Sequence, residues 1–200
     1  MSETESPNVF HGAKREAVVF DRDGNRKYLN ESERRKFLRT TERESCAVTK
    51  AFILTVFYTG CRLSEALELT VNRIDHAEKS LVFKTLKRRS TLHYRAVPVP
   101  LVLLGHLKEI TQNTPGNTRV WNFSRTTGYR RIKSIMRAAG ISGTQASPKG
   151  LRHGHALKCV TKNIPLTTIQ KWLGHARSDT TAIYLSITGE DERRLAKRLW

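Results

Sequence analysis

The chain has 200 residues, with 36 Lys and Arg against 18 Asp and Glu and a formal net charge of +18. This length fits one domain with its own apolar core, and the strong positive charge favours a polyanionic partner. Neither an apolar run of about 18 residues nor a signal-peptide core is present, so we expect no membrane partner and a cytoplasmic protein.

The first 28 residues form a polar segment that contains Pro7, Gly12 and Gly24 and lacks a helical apolar stripe. Such a segment is typical of a loosely attached arm. We therefore predict an arm over residues 1–28 that contributes nothing to the core, and a folded domain over residues 29–200.

The domain begins with three predicted helices. Asn30 with Glu33 three residues later is a capping box for the first helix. The stretch AVTKAFILTVFYTG is apolar around its whole circumference, which predicts a buried helix ending near Gly60. The stretch RLSEALEL follows as a short helix.

A hairpin comes next, because SLVFKTLKRRSTLHYRAVPVP alternates like two strands around a basic turn. The stretch VNRID is expected to add a third antiparallel strand. From Lys79 to Pro148 the chain carries thirteen Lys and Arg and a single acid, Glu109. We predict that this stretch faces phosphate.

Helices return after the hairpin. LVLLGHLKEI is amphipathic, and TTGYRRIKSIMRAAG places Tyr129, Ile132, Met136 and Ala139 on one apolar face. The fold class is therefore α+β and mainly helical, with a small antiparallel sheet.

The C-terminal third should contain further short helices. Ser147 is predicted to cap a helix in which Gly150 and Gly154 indicate a close approach of another backbone or a ligand. A helix should end at Gly174, Asp179 should cap the next, and GEDERRLAKRLW fits a final amphipathic helix.

The sequence indicates no metal site and no cofactor. Cys46, Cys61 and Cys159 lack the spacing of zinc ligands and are an odd number, so we expect reduced thiols. A Gly-rich Walker pattern is absent as well.

Three motifs in order resemble the catalytic domain of the tyrosine recombinase (phage integrase) family. TGCRLSEAL resembles its first arginine box, LRHGHAL its second, and WLGHARSDTTAIY its LGH box with the nucleophilic tyrosine nine residues after the histidine. The resemblance covers about Tyr28 to the C-terminus. It implies a site-specific recombinase or integrase of a mobile element that cleaves and rejoins DNA.

The resemblance assigns Tyr184 as the nucleophile that forms a 3′-phosphotyrosine, with Arg62 and Arg152 stabilising the charged transition state. It gives His175 a hydrogen bond to the phosphate and Glu65 the role of orienting neighbouring cations. The general acid for the 5′-oxygen is expected to be Lys87, with Lys84 as the alternative register. We assign contacts to DNA to the remaining basic turn and helix residues: Lys84, Arg88, Arg89, Arg130, Arg131 and Lys133.

One position departs from the family pattern. The second box usually begins with His three residues before the arginine, and Lys149 stands there. A lysine ammonium is a poor proton acceptor at neutral pH, so Lys149 is expected to bind phosphate. The acceptor of the tyrosine proton stays open between water and His175, while His153 and His155 are interpreted as packing or surface residues.

The chain resembles short, single-domain members of the family, which lack the usual N-terminal helical domain. The expected partner is double-stranded DNA, on which the protein would form a homotetramer, being a monomer or weak oligomer alone. An accessory DNA-binding protein and a nucleoid-associated location fit this picture. Two alternatives are a noncatalytic DNA-binding regulator with the same fold and, less favoured, a type IB topoisomerase.

Overall fold

A computed structural model describes residues 19–86, 92–175, 179–185, 196, 197 and 199. Its helices are α1 Glu31–Glu42, α2 Ala47–Thr59, α3 Leu63–Leu67, α4 Leu101–Thr111, α5 Arg125–Ala138, α6 Pro148–Thr161, α7 Leu166–Leu173 and α8 Asp179–Ala182. Its strands are β1 Ile74–Asp75, β2 Ser80–Leu86 and β3 Leu92–Pro98, and two 3₁₀ turns span Val71–Arg73 and Ile183–Leu185. The predicted α+β class is confirmed.

The helices begin and end at the capping residues that the sequence predicted. Glu33 donates its backbone N–H to the Asn30 side chain at 2.9 Å, and its own carboxylate accepts from the Asn30 N–H at 3.0 Å. α2 ends at Gly60 and α7 at Gly174, both in the left-handed region with φ of 60° and 64°. A residue with a Cβ would be strained at either position.

The central helix is α2, as predicted. Phe52, Ile53 and Leu54 on successive faces are all buried, and α2 packs against α1, α4 and α6. The Phe52 ring meets Trp121 edge to face at 5.1 Å. α2 therefore organises the larger part of the core.

The sheet is antiparallel in the order β1, β2, β3, as predicted. Phe83 on β2 lies opposite Arg95 on β3. The third strand is shorter than VNRID, because its first three residues form a 3₁₀ turn and only Ile74 and Asp75 pair with β2.

The two glycines of α6 lie against other backbone, which confirms the prediction made for them. A Cβ at Gly150 would lie 1.8 Å from the Gln145 carbonyl oxygen, and one at Gly154 would lie 2.6 Å from that of Leu29. The Leu29 N–H also donates to the Gly150 carbonyl at 3.2 Å. The chain that enters α1 thus crosses α6 at close range.

Two expectations about burial are wrong. Val19 and Tyr28 are 3% and 5% exposed and belong to an apolar cluster with Leu157 and Tyr184, so residues before α1 do contribute to the core. Tyr129 is 43% exposed. The buried row of α5 contains Gly128 in its place, where a Cβ would be 2.9 Å from Phe52, because the close approach of α2 leaves room for no side chain.

Some predictions fall outside the described residues. Lys87, Arg88 and Arg89 in the hairpin turn lie outside them, as do residues 1–18 and nearly all of the predicted last helix. In the described ranges, no helix has the length and apolar character needed to span a bilayer. Cys46 is exposed, Cys61 and Cys159 are buried, and all three are free thiols.

Candidate active site

Arg62 lies at the N-terminus of α3, immediately after the turn at Gly60. The Glu65 carboxylate accepts from the Arg62 backbone N–H at 2.8 Å and from its guanidinium at 2.7 Å. The guanidinium also donates to the Gly174 carbonyl at 3.2 Å and stays 43% exposed. Arg62 is therefore fixed at its base while its outer edge can meet an anion from solvent.

Glu65 is held from its other side by Arg95, which comes from β3. The Arg95 guanidinium lies 2.6 Å from Glu65 Oε2, and both side chains are 7% exposed. Burial alone would raise the pKa of Glu65, but the hydrogen bond and charge of Arg95, together with Arg62, lower the pKa below its usual value. Glu65 is thus an ionised carboxylate that orients two guanidinium groups.

Arg95 also connects the sheet to the end of α7. Its Nε donates to the Trp172 carbonyl at 2.8 Å, and its Nη1 bonds the Thr85 hydroxyl. A Cβ at Gly174 would lie 2.9 Å from the Arg95 guanidinium carbon. This packing requires glycine at residue 174 in addition to its positive φ.

Arg152 approaches the same helix end from α6 and is 8% exposed. It donates to the Gly60 carbonyl at 2.9 Å and to the Leu173 carbonyl at 2.7 Å. Burial, followed by the charge of Arg62, lowers the pKa of Arg152 to about 10. The guanidinium is therefore still charged at neutral pH, and a phosphate between Arg62 and Arg152 would relieve their repulsion.

His175 follows the turn at Gly174, and its Nδ1 lies 2.9 Å from the buried Thr181 hydroxyl. Burial first, and then the charges of Arg152 and Arg62, lower the pKa of His175 to about 3. The ring is neutral at physiological pH. It can act as a hydrogen-bond donor to phosphate through the nitrogen that Thr181 does not engage.

Tyr184 lies in the 3₁₀ turn after α8 and is 1% exposed. Its ring stacks on His175 with centroids 6.3 Å apart, and its hydroxyl lies 2.9 Å from Nδ1 of His153. Burial raises the pKa of Tyr184 to about 12, against the opposing charges of Arg152 and Arg62. The hydroxyl is therefore protonated and sheltered in this structure.

A cleft of about 790 Å³ opens beside these groups. Its lining includes Arg62, Lys84, Arg95, Lys171 and His175. Lys84 thus belongs to the same cleft as Arg62 and His175, while Tyr184 is not part of the lining. In the described residues, no group of His, Cys, Asp and Glu could hold a metal ion.

The other residues assigned from the sequence are dispersed. Lys149 is exposed near the start of α6, and Arg130 is exposed on α5. Arg131 stacks on Phe123 with its guanidinium carbon 3.8 Å from the ring centroid, and Lys133 donates to the Ala146 carbonyl at 2.8 Å. A contact of these side chains with DNA stays a prediction.

Sequence reasoning missed Arg95 and the contact of His153 with Tyr184. Arg95 could have been noticed, because it occupies an inward position of β3 next to the buried Val97, where an unpaired charge is unfavourable. His153 carries no comparable signal. Its contact depends on how the chain folds back after α7.

The phage integrase family matches residues 27–190, which is most of the chain. The chain belongs to this family. The family assignment agrees with the order of the two arginine boxes and the LGH box, and with the spatial convergence of Arg62, Arg152, His175 and Tyr184.

Curated relatives in the family are tyrosine recombinases. The chain is 29% identical to tyrosine recombinase XerA of Pyrococcus furiosus over 182 residues, which are 86% of this chain and 61% of that protein. It is 31% identical to tyrosine recombinase XerD of Brucella abortus over 154 residues, 72% of this chain and 50% of that protein. The chain thus corresponds to half or somewhat more of the length of these relatives.

Solved structures share the fold. The crystal structure of XerA recombinase superposes with a TM-score of 0.74 at 22% identity, covering 86% of this chain and 64% of that one. The catalytic domain of bacteriophage HP1 integrase superposes with a TM-score of 0.61 at 19% identity, covering 85% of this chain and 93% of that domain. The described helices and sheet are therefore those of a phage integrase catalytic domain.

Proposed function

We propose that this chain is the catalytic part of a site-specific DNA recombinase that acts through a 3′-phosphotyrosine. The observation that carries the proposal is the approach of Arg62, Arg152, His175 and Tyr184 to the end of α7 from four separate chain segments. The relatives named tyrosine recombinase support it. So does the similarity to XerH, whose structure is described as a pre-cleavage complex with its difH substrate.

In the proposed reaction Tyr184 attacks the scissile phosphate and the 5′-oxygen leaves. Arg62 and Arg152 hold the nonbridging oxygens and stabilise their added charge in the transition state. His175 donates a hydrogen bond to the same phosphate, and Lys149 contributes positive charge. The bond energy stays in the phosphotyrosine until a second 5′-hydroxyl attacks it, so the reaction needs no nucleotide cofactor.

A lysine of the hairpin supplies the proton for the leaving 5′-oxygen. Lys87 is the assigned residue and Lys84 its alternative, and Lys84 lines the cleft with Arg62. Because Tyr184 is 1% exposed, DNA binding must open its surroundings so that the phosphate and the hydroxyl can meet.

The proposed partner is double-stranded DNA, bound by a homotetramer that brings two sites together, with or without an accessory DNA-binding protein. The protein is proposed to be monomeric or weakly associated alone, and to be located on the nucleoid. The charge of +18 supports a large electrostatic contribution to DNA binding.

The test uses the full chain and a library of randomised duplexes that carry a nick, so that the strand next to a cleaved phosphate diffuses away. Wild-type protein should become covalently linked to a subset of duplexes, and sequencing these defines the site. Tyr184→Phe should bind the same duplexes without any covalent product. Trapping of Tyr184→Phe, or absence of trapping by the wild type, would contradict the proposal.

A further inference from the structure

The Tyr184 hydroxyl and Nδ1 of His153 form a buried pair 2.9 Å apart, with the two residues 1% and 3% exposed. His153 directly follows Arg152 on α6. Its ring is therefore fixed on the same helical turn as a guanidinium that is proposed to hold the phosphate. Nothing in the reaction described so far uses this histidine.

The tautomer of His153 sets the direction of this hydrogen bond. Within the described part of the chain, Nε2 of His153 has no partner and Tyr184 Oη has none besides His153. With the ring proton on Nε2, Nδ1 carries a lone pair, and the Tyr184 O–H donates to it. This is the tautomer that strand cleavage requires, because the phenolic proton then already points at its acceptor.

The other candidate acceptors are otherwise engaged. Nδ1 of His175 meets the Thr181 hydroxyl rather than Tyr184. The Glu65 carboxylate is bound by Arg62 and Arg95. A lysine ammonium at residue 149 carries no lone pair.

We propose that His153 is the proton acceptor for Tyr184 in strand cleavage, an inference that rests on the proposed function. As Oη bonds to phosphorus, its proton passes to Nδ1 and yields an imidazolium. The bond from phosphorus to the 5′-oxygen breaks, and that oxygen takes a proton from the hairpin lysine. In rejoining, a 5′-hydroxyl attacks phosphorus and gives its proton back to the neutral amine of the hairpin lysine. The phosphotyrosine bond breaks, and His153 returns its proton to Oη.

The electrostatics of the pair fit this role. Burial, followed by the charges of Lys149, Arg152 and Lys27, lowers the pKa of His153 to about 4, so Nδ1 is free to accept at neutral pH. Burial raises the pKa of Tyr184 to about 12, which keeps the proton on Tyr184 in the resting protein. Transfer therefore accompanies phosphorus–oxygen bond formation, when the phenolic oxygen loses electron density and becomes much more acidic. The negative charge of the DNA phosphate then offsets the three nearby cations.

The test measures single-turnover cleavage by His153→Asn on a nicked duplex of the sequence trapped by the wild type. An asparagine amide can occupy the position of Nδ1 and still hold Tyr184, but it cannot take up a proton. Since a positioned base contributes about 10² to 10⁴ in rate, we expect a loss of at least about 10²-fold with DNA affinity unchanged. The smaller His153→Ala variant should regain rate when imidazole is added.

A second substrate separates this role from that of the general acid. A duplex with sulfur in place of the bridging 5′-oxygen releases a thiolate that needs no proton. His153→Asn should still cleave this duplex slowly. Of the alanine variants of Lys84 and Lys87, the one that lacks the general acid should regain its cleavage rate. Recovery of His153→Asn would overturn the inference, because the histidine would then act at the leaving group.

His155→Asn is the matched control, since His155 is a second histidine of α6, half-buried and 3.6 Å from Cys159 Sγ. It should cleave at the wild-type rate per folded molecule. A normal rate for His153→Asn, or cleavage faster than wild type, would show that His153 only shelters Tyr184 and would overturn the inference. Failure of the wild type to form any covalent product would instead overturn the proposed function.

Discussion

Arg95 and Glu65 form a buried ion pair, 2.6 Å between Nη2 and Oε2, that joins strand β3 to helix α3. Glu65 extends this link to Arg62, and Arg95 extends it to the end of α7 through the Trp172 carbonyl. The pair thus lies at the meeting point of the sheet and the two helix ends that form the cleft.

Breaking this pair from one side should be strongly destabilising. Arg95→Met leaves the Glu65 charge buried beside Arg62 alone, so we expect a loss of about 3–5 kcal/mol in the free energy of unfolding, measured in urea. The double variant Arg95→Met/Glu65→Gln should lose less free energy of unfolding than the two single variants together, because it no longer buries an unpaired charge. Additive effects would contradict the pairing.

The lowered pKa of Glu65 predicts acid sensitivity. A carboxyl group whose folded pKa lies below its unfolded value of 4.5 contributes stability above that pH. The contribution is lost as the pH falls below 4.5 toward the folded pKa. Unfolding free energies measured between pH 7 and pH 3 should therefore fall less steeply in Glu65→Gln than in the wild type. Glu109→Gln, at a 66% exposed position on α4, should keep the wild-type slope.

Alanine variants of Arg152 and Arg62 should differ in stability while both lose cleavage. Arg152→Ala leaves the buried carbonyls of Gly60 and Leu173 without their donors, at about 1–3 kcal/mol each. Arg62→Ala removes a half-exposed side chain and should lower the melting temperature much less. Covalent trapping should fall sharply in both variants. Equal melting temperatures would contradict the burial of Arg152.

Replacing a glycine by alanine should have opposite effects on stability in α6 and α4. Gly150→Ala places a methyl group against the Gln145 carbonyl and should destabilise the fold by about 3 kcal/mol. Gly105 on α4 has nothing within 4 Å of a Cβ, so Gly105→Ala should stabilise by about 0.5–1 kcal/mol. Thermal and urea unfolding of both variants checks this pair.

The salt dependence of DNA binding should identify phosphate contacts. Arg130 is exposed on α5 within the basic stretch, and removing one phosphate contact lowers the slope of log affinity against log salt by about 1. Arg130→Ala should show this change. Lys36→Ala, exposed on α1 where charges of both signs alternate, should not. Identical slopes for Arg130→Ala and wild type would remove Arg130 from the interface.

Local patterns in the sequence were sufficient for much of the fold. Asn30 with Glu33, Gly60 and Gly174 each determine a helix end through short-range hydrogen bonds or a required φ, so their predictions are confirmed. Gly150 was recognisable because glycine inside a helix is unfavourable without a packing reason. These features depend on neighbours a few residues away.

The site was less predictable, because its contacts join distant segments. Arg95 and Glu65 are 30 residues apart, and His153 and Tyr184 are 31 apart. The misplacement of Tyr129 has a similar origin, since the approach of α2 to Gly128 determines which face of α5 is covered. The resemblance of three motifs to a known family indicated the chemistry, whereas the hydrogen-bond partners required the folded chain.

Val19, Tyr28 and Tyr184 belong to one small apolar cluster, and Leu29 lies against Gly154, the residue after His153. The chain that enters the domain therefore packs around the proposed nucleophile. A change that loosens residues 19–29 would also alter the packing of Tyr184.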